Sequence, residues 1–194
     1  FARTDIPILL LGETGAGKEI FARAIHAGSA RANAPFIAVN CGAKAPTLLE
    51  TELFGYGPGS FTGAAPTGRT GKLAAADGGT LFLDEVGEMS APAQAALLRF
   101  LEDGTFYRVG EASERRAHVR LVAATSRDLP SLVAAGQFRS DLYFRMRGVV
   151  LRLPALRDRN DRREMTLALL EGITRGRGLS GPLGISPAAV ACIE

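Results

Sequence analysis

The chain contains no tryptophan, only two cysteines and two histidines, and three lysines against twenty arginines in its 194 residues. Cys41 and Cys192 lie far apart and fit no metal-ligand spacing, so neither a disulfide framework nor a cysteine-held metal is expected. His26 and His118 are likewise isolated, which argues against a zinc site. No run of 18 apolar residues occurs, so no membrane-spanning helix is expected. Phe1-Ala2-Arg3-Thr4-Asp5 lacks a basic stretch followed by an apolar one, so no secretion signal is in view. The missing initiator Met and the ending at Glu194 read as a fragment excised from a longer protein, with a cytoplasmic setting expected. Hydrophobic residues at 46% and charged ones at 22% exclude a disordered tail, a collagen-like fibre and a coiled coil. Net charge is only +3, although ten arginines fall between Arg139 and Arg177. That cluster fits a nucleic-acid patch, a phosphate-facing surface or a solvated face, and composition leaves all three open.

What is present is an alternation of apolar runs and amphipathic stretches, the pattern of an α/β domain. Ile8-Leu9-Leu10-Leu11, Phe36-Ile37-Ala38-Val39, Thr80-Leu81-Phe82-Leu83, Arg120 to Ala124 and Val149 to Leu153 predict five buried strands of a parallel sheet. Helices are predicted from Lys18 to about Ala27, from Pro46, from Pro92, over Pro130 to Ala135 and Arg139 to Phe144, and from the middle of 156–173. Ser186-Pro187 reads as a further helix start, after a glycine-rich turn at Gly176 to Gly184. Phe106 to Val109 and His118 to Arg120 flank a polar stretch with the look of a hairpin. One segment breaks the alternation: residues 55–69 are dense in Gly and Pro and interrupt what should be a single crossover. Loops this long usually have a function of their own.

Two patterns carry chemistry. Gly12-Glu13-Thr14-Gly15-Ala16-Gly17-Lys18 matches G-x-x-x-x-G-K, in which glycines let backbone N–H groups converge on phosphate oxygens. Lys18 adds a point charge, and the following helix turns its positive end to the anion. With this chain's glycine and lysine frequencies, chance supplies about 0.04 such matches. Glu19 stands where a Ser or Thr usually ligates Mg²⁺. Leu81-Phe82-Leu83-Asp84-Glu85 brings two carboxylates to a strand's carboxyl end, where open α/β sheets bind ligands. Asp84 is the candidate Mg²⁺ ligand and Glu85 the group that orients and polarises an attacking water. Together the two patterns favour hydrolysis of ATP over phosphoryl transfer to a small molecule.

Gly12 to Glu19, Glu52-Leu53-Phe54-Gly55-Tyr56, Gly59-Ser60-Phe61-Thr62-Gly63-Ala64, Gly78 to Glu85, Phe138 to Arg145 and Leu153 to Arg159 together resemble the AAA+ domain of sigma-54-dependent transcription activators. The acetoin-regulator branch looks nearest, on Gly148 to Arg157 and Asn160-Asp161-Arg162. The resemblance implies ATP and Mg²⁺ as ligands and a homo-hexameric ring. It implies an α/β ATPase core over 1–155, with the loop inserted at 55–69, and the start of a helical lid over 156–194. Gly12, Glu13, Thr14, Gly15, Ala16, Gly17, Lys18 and Glu19 would bind nucleotide, with Thr125 and Ser126 at the sensor I position, where the family commonly has Thr-Asn. Asn40 would hydrogen-bond Glu85 and release it with nucleotide state, and Arg139 and Arg145 would act across the subunit interface. Gly59, Ser60, Phe61, Thr62, Gly63 and Ala64 would contact the sigma-54 factor, with Ser60 in place of the loop's usual Ala. Enhancer DNA would be read by a domain outside this chain. Two other readings fit the residues: a remodelling ATPase with a different partner, and a nucleotide-binding regulatory module that no longer hydrolyses.

Overall fold

In the computed structural model, which describes residues 4–43, 46–62, 64–176 and 186, the five apolar runs form one sheet. In chain order the first elements are β1 (Ile8–Leu11), α1 (Lys18–Ala27), β2 (Phe36–Asn40), α2 (Pro46–Phe54), β3 (Gly55–Tyr56) and β4 (Arg69–Thr70). Next come α3 (Lys72–Ala75), β5 (Thr80–Asp84), a 3₁₀ turn at Val86–Glu88, α4 (Ala91–Asp103), β6 (Thr105–Tyr107) and β7 (Glu114–Arg116). The chain continues through β8 (Arg120–Thr125), α5 (Leu129–Ala134), α6 (Ser140–Met146) and β9 (Val149–Arg152). The sheet order is β2-β5-β8-β1-β9, and each of its four pairings is parallel. Because side chains alternate across a strand, Ile8 and Leu10 enter one core with Phe82, Val122 and Ala124, against Ala22 and Ile25 of α1. Leu9, Leu81, Leu83, Leu121 and Ala123 face the other way, into a larger core with α2, α4, α5 and α6. Burial on both faces explains why these strands read as continuous apolar runs.

Helix α4 shows how local signals set an element's ends. The Ser90 hydroxyl accepts from the Ala93 N–H at 3.3 Å, and Pro92 sits in the first turn. Gly104, at φ 70°, closes the helix with its N–H on the Phe100 carbonyl.

The segment at 55–69 is fastened at its neck. β3 and β4 pair antiparallel, Gly55 with Thr70 and Tyr56 with Arg69. Gly55 has φ 81°, and a Cβ there would fall 2.4 Å from the Arg69 carbonyl oxygen, so the neck closes only on glycine. A second excursion, the β6–β7 ribbon, differs from the expected hairpin: Thr105 to Tyr107 pair with Glu114 to Arg116, not with His118 to Arg120. The polar stretch supplies the return strand itself, and Arg120 belongs wholly to the central sheet. The two excursions meet, since Gly57 donates to the Val109 carbonyl at 3.0 Å and Val109 donates back to Gly55 at 2.9 Å.

The described residues separate into two units, dividing between Leu153 and Pro154. The second contains a 3₁₀ turn at Leu156–Asp158 and α7 (Arg162–Gly176), with Arg159 gripping Asp161 at 2.8 and 2.6 Å. Gly63, the stretch 177–184, Pro187 with its expected helix, and Cys192 lie outside the described residues.

Candidate functional site

Parallel pairing brings the carboxyl ends of the strands together. Leu11 lies beside Thr125 and Arg152, and Asn40 beside Asp84. From β1 the chain crosses on the α1 face to the sheet edge at β2. From β8 it crosses on the opposite face, through α5 and α6, to the other edge at β9. The connections diverge between β1 and β8, which opens a crevice at the strands' carboxyl ends.

The loop from Gly12 to Lys18 occupies that crevice. The Gly12 N–H donates to the Thr125 carbonyl at 3.3 Å, which fixes the loop's first residue to β8. Gly15 and Gly17 adopt φ 84° and 87°, and a Cβ at either would meet no atom within 4 Å. Glycine is therefore required there by backbone conformation rather than by crowding. Lys18 is only 6% exposed, and its Nζ donates to the carbonyls of Gly12 at 3.0 Å and Glu13 at 3.2 Å and to Glu85 Oε1 at 3.3 Å.

Glu85 is the one non-glycine residue with positive φ among those described, at φ 52° and ψ 49°. Left-handed backbone at a glutamate is strained, and such strain concentrates at functional sites. Its other carboxylate oxygen accepts from both the N–H and the hydroxyl of Ser126, each at 3.0 Å. Burial pushes the Glu85 carboxyl up, but the two Ser126 hydrogen bonds and the Lys18 charge outweigh it, and the net shift is downward. Asp84 moves the other way, raised by burial and then by the Glu85 charge. Adjacent carboxylates are thus driven apart, a pattern that suits different tasks. An Asp84 oxygen also accepts from the Glu85 N–H at 3.0 Å.

Lys18, Glu85, Ser126, Thr125 and Asp84 thus converge on the Gly12–Lys18 loop. Thr125 is buried, and its hydroxyl accepts from the Arg127 N–H at 3.0 Å. The Asn40 amide oxygen accepts from the N–H groups of Gly42 and Ala43, both at 2.9 Å, while the bonds made to Glu85 come from Lys18 and Ser126. Glu19 turns outward along α1 to Arg23, at 2.6 Å. Arg139 and Arg145, both exposed, lie apart from this group. The Arg139 guanidinium clamps Asp141 at 3.0 and 2.7 Å, and Arg145 donates to the Leu101 carbonyl at 3.1 and 2.9 Å. Arg145 also lines a cavity of about 420 Å³ with Pro7 and Leu121, at the amino ends of β1 and β8.

On the inserted segment, Gly59, Phe61 and Thr62 are exposed and Ala64 is half-buried. Phe61, at 46% exposure, sets its ring edge-on to Tyr56 at 5.1 Å. Ser60 is drawn inward, its hydroxyl within hydrogen-bond reach of the Gly57 and Val109 carbonyls. Two features have no counterpart in the sequence reading. One is the strained backbone of Glu85. The other is Gln94, 1% exposed, whose amide reaches three backbone groups. The signal for Gln94 was a polar residue on the apolar stripe of α4 that carries Leu97 and Leu98.

A parallel sheet in this order, with a phosphate-cradling loop after β1 and an Asp-Glu pair after β5, defines a P-loop NTPase domain of the AAA+ class. The chain belongs to the sigma-54 interaction domain family, whose match covers residues 1–152. It is similar to the Nif-specific regulatory protein of Rhodobacter capsulatus, 57% identical over 158 residues, covering 81% of this chain and 27% of that protein. It is 48% identical over 187 residues to the acetoin catabolism regulatory protein of Cupriavidus necator, covering 95% of this chain and 28% of that one. The chain therefore spans roughly a quarter of these relatives' length. Among solved structures, NtrX from Brucella abortus in complex with ADP superposes with a TM-score of 0.88 at 38% identity, over 99% of this chain and 42% of that one.

Proposed function

We propose that this domain hydrolyses ATP at the interfaces of a homo-hexameric ring and uses the cycle to remodel sigma-54 RNA polymerase at a promoter. The observation that carries the reading is the single network joining Lys18, Glu85 and Ser126 at the mouth of the Gly12–Lys18 loop. The ADP and ATP complexes of NtrX support nucleotide as the ligand.

Each residue's task follows from its setting. Gly15 and Gly17 turn the loop so that its N–H groups can face phosphate oxygens, and Lys18 supplies the charge. Glu85, held ionised by Ser126 and Lys18, is the acceptor that orients and polarises water. No group of three or more His, Cys, Asp or Glu among the described residues could cage a metal, and at the end of β5 Glu85 is engaged by Lys18 and Ser126, which leaves Asp84 as the carboxylate offered to a metal. That fits Mg²⁺, which is held by one or two carboxylates with phosphates and waters, and which when bound would offset phosphate charge. Thr125, Ser126 and Asn40 surround Glu85 and Asp84 as sensing groups. Arg139 and Arg145 belong to the neighbouring subunit's site, so the interface is head-to-tail and closes. The segment carrying Gly59 to Ala64 engages the sigma-54 factor, and enhancer DNA is bound by a region beyond this chain.

Glu85→Gln tests the hydrolytic step. The amide keeps the size and still accepts from Ser126, but it cannot polarise water as a carboxylate does. Turnover is expected to fall about 10²- to 10⁴-fold with ATP still bound, read by phosphate release and by nucleotide titration. Wild-type turnover in the variant removes Glu85 from the mechanism.

A further inference from the structure

We infer that Gln94 is a positioning residue for Arg139, and that it ties the arginine offered to one nucleotide site to the turn that follows Glu85 in another. The inference rests on the proposed ring, in which Arg139 acts across an interface. Gln94 lies on α4, is 1% exposed and uses both ends of its amide. Its Nε2 donates to the Met89 carbonyl at 2.9 Å and to the Gln137 carbonyl at 3.1 Å. Its Oε1 accepts from the Arg139 N–H at 2.9 Å.

These three contacts join the turn after Glu85 to the segment that leads into α6. Met89 ends the 3₁₀ turn Val86–Glu88, which begins at the strained Glu85. Gln137 and Arg139 lead into α6, with Arg139 as its N-cap residue. The Arg139 side chain does not cap that N-terminus; Asp141 Oδ1 accepts from the Leu142 N–H at 2.7 Å, while the Arg139 N–H itself is taken by Gln94. Asp141 then grips the guanidinium at 3.0 and 2.7 Å. The arginine is held at both ends, its backbone by Gln94 and its head by Asp141. A buried amide that satisfies three backbone groups is costly to misplace, because each group it abandons is left without a partner. A shift of the turn after Glu85 is therefore carried to Arg139 rather than absorbed.

Mixed assemblies of the full-length protein test this. Gln94→Met fills similar space without hydrogen bonds, and alone it is expected to lower ATP turnover at least tenfold. Lys18→Ala subunits cannot hold nucleotide but still donate normal arginines. Mixed one to one with them, Gln94→Met subunits receive intact arginines, and activity should recover to about a quarter of wild type for independent head-to-tail sites. Mixed with Arg139→Ala subunits, they should stay inactive. A purely structural role would leave both mixtures equally poor. The control mixture of Arg139→Ala with Lys18→Ala should recover as well, and its failure would reject the trans-acting ring itself. Wild-type turnover by Gln94→Met, or no recovery with Lys18→Ala while the control recovers, overturns the role of Gln94. Should Gln94→Met not assemble, Gln94→Leu, which likewise removes all three hydrogen bonds, carries the same test with the same expected pattern.

Discussion

Replacing Arg145 by alanine is expected to lower ATP turnover about 10³- to 10⁵-fold while leaving nucleotide affinity largely intact. The reason is placement. Arg145 donates to the Leu101 carbonyl in the last turns of α4 and lines the cavity that includes Leu121, at the start of β8. The Gly12–Lys18 loop sits at the other end of that strand, where Gly12 bonds Thr125. Four residues of extended chain separate the two levels by about 13 Å, more than an arginine side chain spans. In the proposed ring, the phosphate it serves would therefore be a neighbour's. Magnitude decides between this role and the visible one. Capping α4's terminal carbonyls is worth about 0.3–1 kcal/mol, whereas the predicted rate loss corresponds to about 4–7 kcal/mol of transition-state stabilisation. A loss of less than tenfold, measured on assembled rings at saturating ATP, would leave Arg145 as a helix cap and remove it from catalysis.

What could be read from the sequence follows from which interactions leave a trace in it. The central strands β1, β5 and β8 were legible because strands buried on both faces are largely apolar, as Leu81-Phe82-Leu83 is, and the partly buried edge strands β2 and β9 because their own runs are apolar too. The phosphate loop was legible because only glycine tolerates the backbone at Gly15 and Gly17. β7 was not legible. Glu114-Arg115-Arg116 carries no apolar pattern, and the ribbon is held by its backbone ladder and by polar contacts such as Arg115 with Glu111 at 3.0 Å. The paired neck at β3 and β4 was hidden for a related reason: two residues on each strand are too few to show a period. Ser126 shows a further limit. Its side chain is shorter than the Asn common in the family, yet its own N–H joins its hydroxyl on Glu85 Oε2, a contact that a side-chain comparison does not reveal. Gln94 was visible as a residue type, but its partners, Met89 and the pair Gln137 and Arg139, come from two segments separated in sequence.

The second large effect separates the motor from what it moves. Thr62→Ala is expected to keep much of the ATPase activity and to abolish promoter opening in a reconstituted sigma-54 transcription assay. Thr62 is exposed on the inserted segment, whose neck is pinned by β3 and β4 and whose flank is bonded to Val109. The contacts that hold Lys18, Glu85 and Ser126 come from elsewhere, at the carboxyl edge of the central sheet. Truncating an exposed threonine shifts stability by about 0.5 kcal/mol or less, so misfolding does not account for a complete loss of transcription. At a contact surface the same truncation can remove a central interaction, and loops on a rigid scaffold are where such contacts gather. Phe61 beside it presents nearly half its surface, which fits an aromatic anchor with Thr62 as its polar neighbour. Parallel loss of hydrolysis and transcription would instead make Thr62 a structural residue of the segment. Full transcription by Thr62→Ala, with Phe61→Ala also active, would rule out this loop as the sigma-54 contact while leaving the ATPase assignment of Lys18 and Glu85 untouched.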